Sequence, residues 1–232
     1  MAKFIPSSTI DLIAGSVGKD TYSRVKSGGV IKAKSRPGSV HPYTISPAQK
    51  AINDQFAAWS PAWQSLTDAQ RLDWGRLAAN KPVKDSLGKS YYQSGFNLFV
   101  SCNNNLALIG VSPLTDVPIL SALSQIQSFN ITIDPHLLNL FAILFSGSAT
   151  SAGCVHLVYA SPLLSPGLNY CRNKYRLISQ IPVSTSSPFD ITSAYQALFG
   201  ALKLSMKVFI KLIPINQVSG FAGISVFNSI IL

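Results

Sequence analysis

The feature that most constrains this chain is its N-terminal stretch, residues 1–45. Residues 15–37 read GSVGKDTYSRVKSGGVIKAKSRP, a Gly-rich and charged run with almost no large apolar side chains. A segment of this composition buries too little apolar surface to offset the conformational entropy that it loses on folding alone. We therefore predict an extended arm over residues 1–45 that becomes ordered by docking against another copy of the chain.

Two short β runs on either side of Ser27, Gly28 and Gly29 predict a hairpin over residues 19–36. With a three-residue loop, the basic residues of both strands share one face and form a single ribbon. With Gly28 and Gly29 alone as the loop, they divide between the two faces, and the sequence leaves both registers open. The residues predicted to carry assembly are Tyr22, Arg24, Val25, Lys26, Val30, Ile31, Lys32, Lys34 and Arg36.

Charge is scarce in the chain and is concentrated in the arm. Charged residues are 12% of the total, against roughly 25% in an ordinary soluble domain, which favours a subunit whose faces are covered by partners. Half of the formal net charge of +10 lies within residues 1–45, which hold seven Lys or Arg and two Asp. A basic arm indicates contact with nucleic acid, another anionic polymer or an acidic protein surface.

A repeated helix-start signal predicts a helical module over residues 46–110. Three hydroxyl residues are each followed three places later by Gln: Ser46, Thr67 and Ser90. This is the pattern of a capping box, in which the hydroxyl and the Gln side chain bond backbone N–H groups of the first turn. Helices are expected near residues 47–58, 68–79 and 91–108. Apolar spacing predicts a core of Ile52, Phe56, Trp59, Trp63, Leu66, Leu72, Trp74, Phe96 and Phe99.

Residues 111–232 change to β-branched and aromatic runs that are broken by Ser, Pro and Gly. Runs of this length and spacing predict an antiparallel β-sandwich. The strands are expected at residues 128–134, 138–146, 155–161, 175–182, 204–213 and 223–230, with a helical crossover within residues 189–199. The predicted fold class is therefore α+β, with an extended N-terminal β arm, a small three-helix module and a C-terminal sandwich.

No constellation of catalytic residues is visible in the sequence. The stretch GSVGKDT departs from a phosphate-binding loop, because Ile13 and Asp20 stand where that loop needs a glycine and a hydroxyl. His41, His136 and His156 lack companions at metal-ligand spacing, the three cysteines form no CxxC pair, and the chain contains no Glu. We expect no enzymatic activity, no cofactor and no metal. A disulfide between Cys154 and Cys171 is one alternative for the cysteines, and free buried thiols are the favoured one.

Residues 63–74, WQSLTDAQRLDW, followed by Ala78, resemble the later helices of the HMG-box DNA-binding family. The resemblance implies a helical module that bends DNA with an apolar wedge surrounded by Lys and Arg. A capped helix that follows a core tryptophan would have the same residue pattern for packing reasons alone, without any contact with DNA. The net charge of +2 over residues 46–110 favours that second interpretation, a structural helical bundle.

A wider resemblance covers most of the chain. It rests on a GSxG opening, a basic hairpin ending near Arg36 and Pro37, a Pro-Ala-Gln helix start, the WQxLTxxQRxxW segment and a helix at Ser94, Gly95 and Phe96. In this order, these features resemble uncharacterised small proteins encoded in phage and prophage genomes. The C-terminal part resembles a fibronectin type III domain. The resemblance implies a role in building a virion or a filament.

These observations predict a non-enzymatic, self-assembling structural subunit of a filament or virion. The arm of one copy would add as a strand to a neighbour and build an open helical or lattice assembly. The alternative is a nucleic-acid-binding or packaging protein that uses the basic arm and the HMG-like module. No cleaved signal and no membrane-spanning run is visible. We therefore expect synthesis in the cytoplasm and a final location in a virion or an extracellular filament.

Overall fold

The computed structural model describes residues 2–4, 15–17, 20–25, 28–33, 47–84, 87–119, 126–133, 141–145, 153–171 and 173–232. This part of the chain is mixed, with four α-helices and several antiparallel sheets. One compact unit comprises Met1–Val100 and Thr115–Val117, and the second comprises Ser101–Leu114 and Pro118–Leu232. The finer division into residues 1–45, 46–110 and 111–232 stays a prediction. None of the described helices has both the length and the apolarity needed to cross a bilayer.

The arm forms a four-stranded antiparallel sheet in the order β1-β4-β3-β2. Its strands are Ala2–Phe4 (β1), Gly15–Val17 (β2), Asp20–Val25 (β3) and Gly28–Ala33 (β4). Val25 pairs with Gly28, so only residues 26 and 27 connect β3 to β4. Neither of the two loops considered above is observed, because Gly28 and Gly29 belong to a strand.

Three helices follow the arm: Pro47–Gln64 (α1), Asp68–Ala79 (α2) and Gly95–Leu108 (α3). α1 and α2 belong to the first unit, whereas α3 belongs to the first unit up to Val100 and to the second unit from Ser101. The predicted capping box of α2 is confirmed, since the Thr67 hydroxyl accepts from the Gln70 N–H at 3.3 Å and the Gln70 side-chain oxygen accepts from the Thr67 N–H at 2.9 Å. These two bonds satisfy N–H groups that a helix start otherwise leaves without partners.

The expected starts and ends of the other two helices need correction. The capping box predicted at Ser90 is wrong, because Ser90–Tyr92 (β6) pairs with Pro82–Lys84 (β5) in a hairpin. Helix α3 begins later, where the Ser94 hydroxyl accepts from the Asn97 N–H at 3.2 Å. Helix α1 continues past its expected end and contains Pro61. The cap at Ser46 lies outside the described residues.

The second unit contains two antiparallel sheets. The strands, in chain order, are Phe129–Ile133 (β7), Phe141–Phe145 (β8), Cys154–Ala160 (β9), Arg176–Ile181 (β10), Phe189–Asp190 (β11), Lys207–Asn216 (β12) and Val226–Ile231 (β13). One sheet has the order β11-β8-β7 and the other the order β10-β9-β12-β13. All six expected strands are confirmed, and helix Thr192–Phe199 (α4) follows β11 within the expected crossover.

Both sheets of the second unit contribute side chains to one core. Phe141 and Ile143 of β8 lie in the same buried cluster as Ile210 of β12 and Tyr195 of α4. The Tyr195 ring contacts the Phe141 ring edge-on at 5.3 Å, and its hydroxyl donates to the Ser161 carbonyl at 3.1 Å. A buried tyrosine hydroxyl needs such a partner. Helix α4 therefore contributes to this core through Tyr195.

The strands β7 and β13 lie at the ends of their sheets and are joined by a side chain. The Asn228 amide of β13 donates to the Phe129 carbonyl of β7 at 2.6 Å. A carbonyl at a sheet edge would otherwise be open to pairing with a foreign strand. The bond links the two sheets at this rim.

Candidate functional site

The predicted assembly residues that the structure describes lie at paired positions of β3 and β4. Tyr22 pairs with Ile31, and both side chains are half-buried. Val30, which pairs with Ser23, is only 1% exposed. Arg24 pairs with Gly29, and Val25 with Gly28. The arm therefore contains a buried apolar position, which its composition did not indicate.

The two basic hairpin positions that the structure describes, Arg24 and Lys32, do not share one face. Arg24 pairs with Gly29 and Lys32 pairs with Thr21, so their positions differ by an odd number of steps along the ladder. Successive positions of a strand belong to opposite faces, so these two register positions belong to different faces of the hairpin. Lys32 is exposed, whereas Lys26, Lys34 and Arg36 lie outside the described residues. Nucleic-acid binding by the arm stays a prediction.

The hairpin strands are interior strands of their sheet. β4 pairs with β1 on its other side, and β3 pairs with β2 on its other side. β1 and β2 are therefore the edge strands of the sheet, and each is three residues long. The sequence analysis did not predict either of them. Gly18 and Lys19 between Val17 and Asp20 were an available signal for β2, because a two-residue turn beginning with Gly is typical of a hairpin.

The predicted core of the helical module is confirmed in part. Trp59, Leu66, Trp74 and Phe99 are buried, and Trp63 and Phe96 are half-buried. The prediction was wrong for Ile52, Phe56 and Leu72, which are 66%, 52% and 55% exposed. Helical spacing identifies an apolar stripe, but it does not say how far along the helix a packing partner extends.

The three tryptophans of the chain surround one phenylalanine. Their ring centroids lie 6.4 Å (Trp59), 5.4 Å (Trp63) and 5.5 Å (Trp74) from that of Phe99. Trp74 also donates from its indole N–H to the Thr115 carbonyl at 2.9 Å. Aromatic rings in such edge and tilted arrangements add to the stability that their burial provides. These side chains therefore pack the interior of the first unit.

The acidic and basic residues of α2 neutralise each other along its surface. Asp68 pairs with Arg71 at 2.8 Å, and Asp73 pairs with Arg76 at 3.1 Å. Both pairs are largely exposed, so they add little stability. DNA binding through this module stays a prediction.

The one described histidine lies beside a cysteine on β9. His156 is 1% exposed, and its Nε2 accepts from the Ile126 N–H at 3.0 Å. Burial lowers the pKa of His156 to about 4 and raises that of Cys154 to about 11, and Cys154 Sγ lies 3.9 Å from His156 Nε2. Both side chains are therefore neutral at pH 7. The described residues contain no group of three or more His, Cys, Asp or Glu placed to hold a metal ion.

No protein-family model, curated protein or solved structure matches this chain. The family resemblances of the sequence therefore stay expectations, and the function has to be argued from the geometry of the chain itself.

Proposed function

We propose that this chain is a non-enzymatic structural subunit of a filament or virion, and that it polymerises by exchanging an arm strand. The observation that carries the proposal is the pairing of β1 with the edge of the hairpin. Ala2 pairs with Ile31, Lys3 with Val30 and Phe4 with Gly29. β1 of a neighbouring copy can make the same backbone hydrogen bonds, as in strand addition and domain swapping.

The proposed donated segment is β1 and not the hairpin. β3 and β4 already have neighbours on both sides within the chain, whereas β1 is a short edge strand. Residues 5–14 separate β1 from β2, and a ten-residue segment spans at most about 33–36 Å when fully extended. This length is enough to carry β1 to a neighbouring subunit. When the exchange runs in one direction and the rotation between successive copies does not close a ring, it continues from copy to copy as an open filament.

Exposed apolar side chains support the proposal that part of the surface is buried in an assembly. Both units present large apolar residues to solvent: Ile52, Phe56, Leu72, Ile119, Tyr170, Ile224 and Phe227 are all more than half exposed. Together with the low content of charged residues, such a surface is poorly suited to a free monomer. Neighbouring subunits would remove these side chains from water.

We further propose that the second unit is a sandwich of the fibronectin type III kind. Counted in chain order, strands one, two and five of this unit form one sheet, and strands three, four, six and seven form the other. The shared core and the crossing of the chain between sheets support this assignment. Backbone NOEs that connect β7 only to β8, and β9 to both β10 and β12, are the expected experimental result. A strand order that joins the two sheets would contradict it.

Mixing two single-cysteine variants tests the exchange of β1. Chains carrying Ala2→Cys and chains carrying Ile31→Cys are unfolded together, refolded, allowed to assemble and oxidised. Disulfide-linked dimers that contain one chain of each kind are expected, because Ala2 and Ile31 are register partners. The three natural cysteines are buried, and each variant oxidised alone measures their background.

A chain carrying Lys84→Cys, mixed with the Ala2→Cys chain, is the matched control, because Lys84 lies in β5, which pairs only with β6. The double variant Ala2→Cys/Ile31→Cys separates the two possible pairings. A cross-link only within single chains would overturn the proposal, whereas a covalent ladder supports it. Deleting residues 1–45 should then leave folded monomers by light scattering and electron microscopy.

A further inference from the structure

The four-stranded sheet of the second unit has an outer face opposite the core. Val208, Ile210 and Leu212 of β12 belong to the core cluster. The side chains between them, at residues 207, 209 and 211, therefore lie on the opposite face of the sheet. We call this surface the outer face. It carries Lys207, Phe209 and Lys211 of β12, Tyr159 of β9 and Phe227 of β13.

A lysine lies between two aromatic rings on the outer face. Lys211 is the register partner of both Tyr159 and Phe227. Its Nζ lies 5.9 Å from the Tyr159 ring centroid and 5.5 Å from the Phe227 ring centroid. Lys207 lies over one ring, with its Nζ 5.1 Å from the Phe209 ring centroid. Each ammonium group is therefore held over an aromatic surface.

The aromatic rings of the outer face form one continuous patch with the ring of Tyr175. The loop residue Tyr175 packs against the cluster that contains Phe209, and its ring centroid lies 6.3 Å from that of Phe227. Phe227 is 58% exposed, and Tyr159 and Tyr175 are half-buried. Phe227, Tyr159 and Tyr175 are thus partly open to solvent, whereas Phe209 is buried.

The positive charge of this patch has no described acidic partner. Asp190 is the single acidic residue of the second unit among the described residues, and it belongs to β11 of the other sheet, where it accepts from Thr192. The ion pairs of Lys50 with Asp54, Arg71 with Asp68 and Arg76 with Asp73 lie in α1 and α2. Lys207 and Lys211 are four residues apart, so their positions are separated by about 13 Å along the strand. Two ammonium groups are therefore presented along one line.

We propose that the outer face binds single-stranded nucleic acid. Ammonium groups would contact successive parts of the phosphate backbone, while unpaired bases would stack on Phe227 and Tyr175. An acidic polysaccharide fits this patch less well, because its many hydroxyls require hydrogen-bonding side chains, and the patch consists of lysines and aromatic rings. The site belongs to the second unit and does not depend on the arm.

Binding of full-length protein to a fluorescent oligothymidylate of about 16 nucleotides tests the site. Fluorescence anisotropy is measured over a series of salt concentrations. In Lys207→Gln/Lys211→Gln, the slope of log K against log salt should fall by about 1.4, as expected for two lost phosphate contacts. In Phe227→Leu, affinity should fall about tenfold at unchanged slope, because a stacked base loses its aromatic partner.

The matched control is Lys84→Gln/Lys89→Gln, which changes the net charge equally in the hairpin of β5 and β6. Circular dichroism verifies that each variant is folded. The proposal is overturned if the full chain does not bind the oligonucleotide, or if the outer-face variants bind as the control does. It is also overturned if the outer-face variants lose binding to heparin but still bind oligothymidylate, because the patch would then bind a polysaccharide.

Discussion

The arm sheet and the four-stranded sheet of the second unit use the same antiparallel pairing, but they differ in strand length and burial. The arm strands have three to six residues, and Val30 is the buried apolar residue among those described there. In the second unit, β12 has ten residues and lies over a core that both sheets share. Since burial supplies most of the stability of a sheet, the second unit can hold its own strands. The arm is the part suited to exchange.

The largest expected effect is a loss of stability when the core of the second unit is damaged. Phe141 is fully buried and contacts the Tyr195 ring, so Phe141→Ala should lower the free energy of unfolding of the second unit by about 3–5 kcal/mol. Urea denaturation followed by circular dichroism measures the change. A loss below about 1 kcal/mol would mean that this unit does not depend on its core in the way described.

The next effect is a loss of stability in acid. The folded-state pKa of His156 is about 4 and its ordinary value is 6.5, because burial disfavours the charged imidazole. The unfolded chain therefore binds a proton that the folded chain does not, and stability falls as the pH is lowered from 6.5 towards 4. The expected loss is about 3 kcal/mol.

Urea denaturation of the natural chain and of His156→Gln, between pH 7.5 and 4, measures this loss. Gln retains an acceptor for the Ile126 N–H but does not titrate, so the variant should show a flatter profile above pH 4. Equal slopes in both proteins would assign the acid sensitivity to other groups.

A smaller effect concerns a close approach of backbone within the second unit. Gly220 has φ of 69°, and a Cβ at this position would overlap the Cys102 carbonyl of α3. Gly110 has a similar φ of 73°, with no atom near the position of a Cβ. Gly220→Ala should therefore be less stable than Gly110→Ala by about 2 kcal/mol, since only the first adds overlap to backbone strain. Thermal denaturation of the two variants gives the difference, and equal values would contradict the contact.

The smallest effect on unfolding is expected in the arm. Val30→Ala should change the free energy of unfolding of the second unit by less than about 0.5 kcal/mol, because local opening of a marginal segment is separate from global unfolding. The same variant should weaken assembly, which sedimentation velocity measures. A large loss of stability in the second unit would show that the two sheets unfold together, and the contrast drawn above would fail.

Local sequence rules predicted the strands of the second unit well, because the alternation of apolar and polar residues is visible within a single strand. Val208 and Ile210 alternate with Lys207 and Lys211, and the structure places the first pair in the core and the second pair on the outer face. Even here the start of β12 moved from residue 204 to Lys207, since Ser205 has φ of 59° and lies in a turn.

Features that depend on distant partners were not predictable. The letters around Ser90 match a capping box as well as those around Thr67 do, and only the pairing of β6 with β5 excludes a helix there. Ile52 and Phe56 have the spacing of a core stripe, but nothing in the sequence of α1 says that they are exposed. The bond from the Ile126 N–H to His156 joins residues 30 positions apart. Such long-range contacts leave no local pattern.

The amide of Asn228 has a consequence for the shape of any fibre this chain builds. Because the amide donates to the Phe129 carbonyl, a strand of another molecule cannot easily use that acceptor to pair with this edge of the second unit. In the proposed filament, growth would then proceed end to end through β1, and sideways fusion of neighbouring fibres would be resisted. A single side chain would thereby limit the thickness of that filament.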